Sequence, residues 1–254
     1  MVVKDSTQRF SSRVENYVRY RPAYPPAALD LLKNECGLSA ASVIADIASG
    51  TGIFTRTLLE NGNRVFGVEP NADMRRAGEE SLRSFPRFTS VAGTAEATTL
   101  VDHSVDFITA AQAAHWFDRE KARHEFIRIC RPGGWTVLLW NERRTGSTAF
   151  LRDYEKLLVK YGTDYQDVRS ERTTAQIQTF FAPSRFEVRT FDYHQDFDYA
   201  ALEGRLLSSS YTPQAGDDRH PTMLSELRRI FDARQVKDRV RFEYDTRVYY
   251  GRLE

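Results

Sequence analysis

From Ser42 to Gly52 the chain reads Ser-Val-Ile-Ala-Asp-Ile-Ala-Ser-Gly-Thr-Gly. An apolar run short enough for a buried strand ends at Ile47, and a glycine pair opens the turn into a helix. Gly50 and Gly52 remove side chains, so a ligand can lie against bare backbone. Asp46 sets a carboxylate at the carboxyl end of the strand, where open α/β sheets take their ligands. That acid argues against a phosphate ligand. So does Thr55, which stands where a G-x-G-x-x-G turn would carry its third glycine. The expected ligand carries positive charge near this turn.

Residues 63–69, Asn-Arg-Val-Phe-Gly-Val-Glu, read as a second strand tipped by Glu69. An acid there suits the two hydroxyls of a ribose, both donating to one carboxylate. From Val43 to Asn141 strands and helices alternate, which implies a parallel sheet. Expected strands are 43–47, 63–69, 88–91, 105–110 and 135–140. Helices fill 53–60, 70–82 and 118–129, and Arg131-Pro132-Gly133-Gly134 breaks the last of them. Beyond Asn141 the pattern predicts helices at 150–161, 174–181, 199–207 and 223–233, with strands at 185–197 and 239–250.

Composition narrows the setting. The 254 residues suffice for one large α/β domain, or a core with a small cap. Lys and Arg (36) nearly balance Asp and Glu (35), and no block of one sign suggests a nucleic-acid partner. No segment is apolar for long enough to span a membrane. The N-terminus lacks a signal-peptide core, and Cys36 and Cys130 read as structural thiols. No Cys/His spacing suits zinc. The expectation is a cytoplasmic protein, monomer or homodimer, without metal, membrane or nucleic acid.

A cationic ligand with an unphosphorylated ribose is S-adenosylmethionine. The pattern Asp46-x-x-x-Gly50-x-Gly52 with Glu69 seventeen residues on resembles the class I S-adenosylmethionine-dependent methyltransferases. Within that class the chain is similar to the small-molecule enzymes of the ubiquinone/menaquinone-biosynthesis or trans-aconitate methyltransferase type. Residues 17–25, Tyr-Val-Arg-Tyr-Arg-Pro-Ala-Tyr-Pro, and the Arg-Pro-Gly-Gly turn fit that group. The likeness has specific motifs over roughly residues 10–145 and is topological beyond.

The resemblance implies a Rossmann-like, seven-stranded, mostly parallel sheet with helices on both faces and an antiparallel last strand. It implies a single domain over 1–254, with a cofactor core at 25–145 and helical caps at 146–182 and 198–236 over the acceptor site. S-adenosyl-L-methionine would be held by Asp46, Ala48, Ser49, Gly50, Gly52, Glu69 and Pro70. Met74 would pack on the adenine, which Thr94, Ala95 and Glu96 would flank. Ala110 and Gln112 would border the methionine part. Ala48 and Ser49 replace the family's frequent first glycine, and both are small enough for close backbone approach.

The acceptor, a small molecule, is less constrained. His115 follows the fourth strand and is a candidate general base, since histidine titrates near neutrality. His115-Trp116-Phe117 reads equally well as pocket packing. Arg143 either grips an acceptor carboxylate by its planar fork or is a surface charge. Arg205 and Tyr211 either line the acceptor pocket or knot the cap together. Tyr17, Arg21 and Tyr24 suit a segment closing over a ligand, with Tyr17 and Arg21 expected on one helix face. Two rivals stand beside this reading: a non-catalytic binding protein of the same fold, and, further off, an NAD-dependent oxidoreductase.

Overall fold

The computed structural model describes residues 13–165 and 174–254. The rest of the expected 1–254 domain, including 166–173 of the first cap segment, lies outside the described residues.

Seven strands form one sheet in the order β3-β2-β1-β4-β5-β7-β6. They are β1 (Val43–Ile47), β2 (Arg64–Val68), β3 (Phe88–Val91), β4 (Val105–Ala111), β5 (Cys130–Arg143), β6 (Phe186–Phe197) and β7 (Val240–Gly251). The first five run parallel. β7 slots between β5 and β6, antiparallel to both. The chain order reverses between β1 and β4, whose carboxyl ends therefore open a crevice, the usual ligand site of such sheets.

Local chemistry sets the helices. α1 is Val14–Tyr20. α2 (Pro26–Cys36) starts on a proline and stops at Gly37, left-handed at φ 72°. α3 (Ile53–Glu60) follows the glycine turn. α4 (Ala72–Leu82) is capped by Asn71, whose side chain accepts the Asp73 and Met74 amides. α5 (Arg119–Ile129) is capped by Asp118 in the same manner. Then come α6 (Ala149–Tyr161), α7 (Thr174–Phe181), α8 (Tyr199–Leu207) and α9 (Arg219–Arg234).

Three apolar clusters hold these layers. Two cover the faces of the sheet, one around Leu32, Ile44 and Leu58, the other around Ile47, Ile108 and Phe126. The third joins α6, α8 and α9 to the far ends of β6 and β7 through Tyr154, Leu227 and Phe242. β7 belongs to both levels, since Val248 and Tyr250 pack on the sheet while Val240 to Tyr244 pack in the cap.

Three expectations change. β5 begins at Cys130, so the Arg-Pro-Gly-Gly turn is a bulged stretch of strand, with Gly133 at φ 78°. Arg21 lies just past the end of α1 in extended backbone, yet its guanidinium still stacks on Tyr17, 4.8 Å from the ring centroid. The segment 146–182 does not act as one cap. α6 joins the cap cluster, but α7 lies on the sheet face, because Phe180 and Phe181 pack edge-on against Phe126 and stacked on Phe186.

Candidate active site

In the turn after β1, Ala48 and Gly50 take left-handed φ of 52° and 58°. Asp46, 1% exposed, accepts the Thr55 hydroxyl at 2.6 Å and the Thr109 hydroxyl at 2.7 Å. Thr109 reaches it because the parallel register sets Asp46 opposite Thr109 on β4. Burial pushes the Asp46 carboxyl up to about 6, against the pull of both hydroxyls.

Glu69 staples the second turn to the first. Its carboxylate accepts the Gly50 amide at 2.9 Å and the Asn71 amide at 2.8 Å. Burial raises its pKa, the Asn71 and Gly50 amides and Arg75 lower it, and Asp46 raises it again. Behind this staple, Met74 sits 3.3 Å from where a Gly50 Cβ would be. Gly52 differs from its sequence reading. Leu82 fills its side-chain space, 2.6 Å from an added Cβ, so Gly52 lets α4 pack rather than leaving an open wall.

A cavity of about 520 Å³ opens beside this turn. Asp46, Ala48, Ser49 and Gly50 form one wall, with Gln112, His115 and Trp116 from the end of β4. Tyr17, Arg21 and Tyr24 border it from the N-terminal segment. Arg143, Arg205 and Tyr211 border it from the cap. The other residues singled out from the sequence do not line it. Glu69 and Met74 stand behind Gly50, with Pro70 leading into α4. Ala110 is buried within the sheet. Thr94 bridges to Ala97 ahead of buried Ala95, and Glu96 accepts the Asp118 amide.

At the cap end, β7 pairs Tyr244 with Arg143. Arg143 donates to Glu155 at 2.5 Å and Tyr165 at 3.1 Å, and Tyr165 donates to Glu155 at 2.7 Å. Arg21 donates to the Ser208 carbonyl at 2.8 Å. Arg13 donates to the carbonyls of Leu207, Ser209 and Thr212, so the N-terminal segment grips the loop that carries Tyr211. His115 occupies a short 3-10 helix, its ring 4.6 Å from that of Trp116.

Several residues here escape the sequence. Thr55 reads there only as a missing glycine, and Thr109 only as strand. A register drawn from the parallel pattern would put Thr109 beside Asp46. Asn141 ties the Ala23 carbonyl to the Thr246 hydroxyl. Together with Glu155, Tyr165 and Tyr244, it carries no local signal.

Residues 45–138 match the family model of a methyltransferase domain. An uncharacterized methyltransferase of Mycobacterium tuberculosis is 40% identical over 140 residues, 55% of this chain and 55% of that one. The chain thus spans about half the length of such curated relatives. An uncharacterized methyltransferase-like protein of Schizosaccharomyces pombe is 25% identical over 249 residues, 96% of this chain and 95% of that one. A structure from Anaeromyxobacter dehalogenans, described as a candidate type II methyltransferase, superposes with TM-score 0.68 at 24% identity, over 92% of this chain and 98% of that one. The S-adenosyl-L-methionine complex of Haemonchus contortus phosphoethanolamine N-methyltransferase 2 superposes with TM-score 0.58 at 15% identity, over 98% and 58%. Residues 45–138 thus resemble a methyltransferase domain, and the chain as a whole shares the fold of solved methyltransferases, one of them in complex with S-adenosylmethionine.

The donor set suits S-adenosylmethionine better than a dinucleotide. An anion at this turn would need free amides. The Ser49, Gly50 and Gly52 amides are already spent on the Val68 carbonyl, Glu69 and the Ser49 carbonyl. Each of the two carboxylates has about four acceptor sites; Glu69 uses two of them on amides, and Asp46 uses up to three on the Thr55 and Thr109 hydroxyls and the Thr55 amide. Buried acids with spare acceptors suit an ammonium, a sulfonium and ribose hydroxyls. Among the described residues no group of three or more His, Cys, Asp or Glu side chains is arranged to hold a metal ion, and no helix is long and apolar enough to cross a membrane.

Proposed function

We propose that the chain is an S-adenosylmethionine-dependent methyltransferase acting on a small-molecule acceptor. The observation that carries this reading is one cavity bounded by both the acidic glycine turn and the aromatic, arginine-bearing cap. Its volume suits a small ligand beside a cofactor.

In this reading Asp46 and Gln112, on the cavity wall, hold the positive end and the methionine part of the cofactor. Glu69 for the ribose, Met74, Thr94, Ala95 and Glu96 for the adenine, and Ala110 beside the methionine part are assigned by the resemblance alone, since they stand outside the cavity lining. When bound, the cofactor supplies an electrophilic methyl group and leaves as a neutral thioether. The chain's own work is alignment and exclusion of water, which together account for much of the rate in such transfers. Tyr17, Arg21 and Tyr24 shield the cavity from the N-terminal side. His115, on the wall beside Trp116, is the proton acceptor available to a protonated nucleophile.

Titration calorimetry should show binding of S-adenosylhomocysteine and little binding of NAD. Labelled methyl should pass from S-adenosylmethionine to small acceptors in a screen of carboxylates, phenols, quinols and amines. Glu69→Ala should weaken cofactor binding by about 1.5–3 kcal/mol, the worth of hydrogen bonds to a charged group. Tight NAD binding with no S-adenosylhomocysteine binding sinks the proposal.

A further inference from the structure

The cap end of the cavity holds a buried cation that has no counter-ion among the described residues. Arg205 is 8% exposed, and among the described residues no carboxylate pairs with it. Its partners are neutral. Nη1 reaches the Ser208 and Ser209 hydroxyls, at 3.5 and 3.3 Å, and the Tyr244 phenol is a further hydrogen-bond partner of the side chain. Its Nε is buried with no acceptor. A guanidinium cannot shed its proton to escape this cost. A buried charge calls for a partner of opposite sign.

Arg143 offers a second open donor. Glu155 and Tyr165 occupy its Nη2, and its Nη1 is buried with no acceptor. Both guanidiniums flank one ring, 6.0 and 5.9 Å from the centroid of Phe242, and both line the cavity. The other cations of the wall are engaged. Arg247 pairs with Glu142 at 3.3 Å, and Arg21 donates to the Ser208 carbonyl. Among the described residues, Glu142 and Glu155 do not balance Arg21, Arg143, Arg205 and Arg247, so the described part of this end carries excess positive charge. Tyr211 registers it. Burial pushes its phenol up, and Arg205, Arg21, a hydrogen bond with Ser209 and Arg143 together bring it below its ordinary value.

We infer that this end of the cavity binds the carboxylate of a small organic acid, anchored by Arg205 with the open N–H of Arg143 as second donor. The inference rests on the methyltransferase reading and names its acceptor class. A guanidinium fork matches a planar carboxylate with two parallel bonds. A phosphomonoester brings about two charges and three oxygens, and among the described residues no lysine lines the cavity to meet them. The ring bodies of Trp116, Tyr165, Tyr211 and Tyr244 line the same space and suit an apolar acid body. The α-carboxylate of the cofactor is the rival claimant to this charge.

The test uses the full chain. S-adenosylhomocysteine is titrated first. Failure of that binding defeats the methyltransferase reading itself, and this inference with it. The loaded protein is then titrated with hexanoate, benzoate and trans-cinnamate, with their three amides, and with phenyl phosphate. At least one acid should bind ten or more times tighter than its amide. Arg205→Gln should abolish that preference, Arg205→Lys should keep part of it, and S-adenosylhomocysteine affinity should stay within twofold. Equal binding of every acid and its amide overturns the inference, as does phenyl phosphate outbinding benzoate. A tenfold loss of S-adenosylhomocysteine affinity in Arg205→Gln overturns it too, since the arginine would then serve the cofactor. If neither variant folds, the acid and amide comparison on the unaltered protein decides.

Discussion

The acids at the glycine-turn end of the cavity find their partners close by. Asp46 is held by Thr55, nine residues on, and by Thr109 on the adjoining strand, and Glu69 by the amides of Gly50 and Asn71. At the cap end the charges are positive and their neighbours are distant in sequence. Arg143 meets Tyr244 only because β7 returns beside β5, and Arg21 meets Ser208 across 187 residues. One end is thus assembled as each strand and turn forms, while the other exists only when the whole chain has closed. Damage at the cap end should register in global stability, and damage at the turn in ligand affinity.

The largest effect expected from this contrast comes at Glu155. Its side chain is 15% exposed and that of Arg143 11%, so Glu155→Ala leaves a buried guanidinium without its acid. Breaking a buried pair from one side costs about 3–5 kcal/mol. The melting temperature should fall by roughly 10 °C, while S-adenosylhomocysteine affinity at permissive temperature stays near that of the unaltered protein. A thermal melt unchanged by the substitution would erase the distinction between the two ends.

The next effect lies where the ends share a part. α1 packs on α8 at Gly204, where an added Cβ would sit 2.0 Å from the Tyr20 ring. Gly204→Ala should push α1 off and cost about 1–3 kcal/mol, as overpacking does. Limited proteolysis would then cut near residues 14–21 sooner, and cofactor retention would drop along with cap stability. If α1 stays protected, the N-terminal segment is held from the core alone.

A third test turns on protonation at the acidic end. With Asp46 near 6 in the folded protein and 3.8 as its ordinary value, the stability it contributes to the unliganded fold is full below about 4. That stability is lost as pH rises through about 6. A cationic ligand prefers the carboxylate, so its binding has the opposite sense: full above about 7 and weaker below about 6. S-adenosylmethionine affinity should fall about tenfold between pH 7 and pH 5. Glu69, itself raised and facing Asp46, would steepen the fall. In Asp46→Asn the pH dependence should flatten, which calorimetry at the two pH values can read.

The same contrast explains how much of the molecule is legible in the chain. The strand–turn–helix period and both strand-tip acids rest on local patterns, and these can be read directly, whereas the antiparallel close of the sheet follows from the family resemblance. Thr55 is visible but carries the wrong meaning, because its hydroxyl matters only once α3 turns it toward Asp46. The role of α7 is hidden for a related reason. Ile177, Phe180 and Phe181 announce an apolar face without saying whether sheet or cap will cover it. Glu155, Tyr165 and Tyr244 offer nothing, since a charge or phenol becomes part of a site only through partners the topology brings from afar.

The smallest effect concerns strain, which is also unevenly shared. Of the cavity-lining residues described, Ala48 and Gln112 are the non-glycine ones at positive φ, 52° and 62°, and both sit where β1 and β4 end at the crevice. A left-handed alanine costs about 1–2 kcal/mol. Glycine at that site would relieve this but adds roughly 0.5–1 kcal/mol of chain entropy to be lost on folding. Ala48→Gly should therefore stabilise by about 0–1.5 kcal/mol and raise the melting temperature by at most a few degrees. Gln112→Gly gives no such gain, because the Gln112 amide donates to the Asn141 carbonyl at 3.2 Å and the substitution removes that bond. If Ala48→Gly instead lowers the melting temperature, then the methyl group of Ala48 contributes packing worth more than its strain. The turn would then be held by contacts on its cavity side as well as by the staple from Glu69.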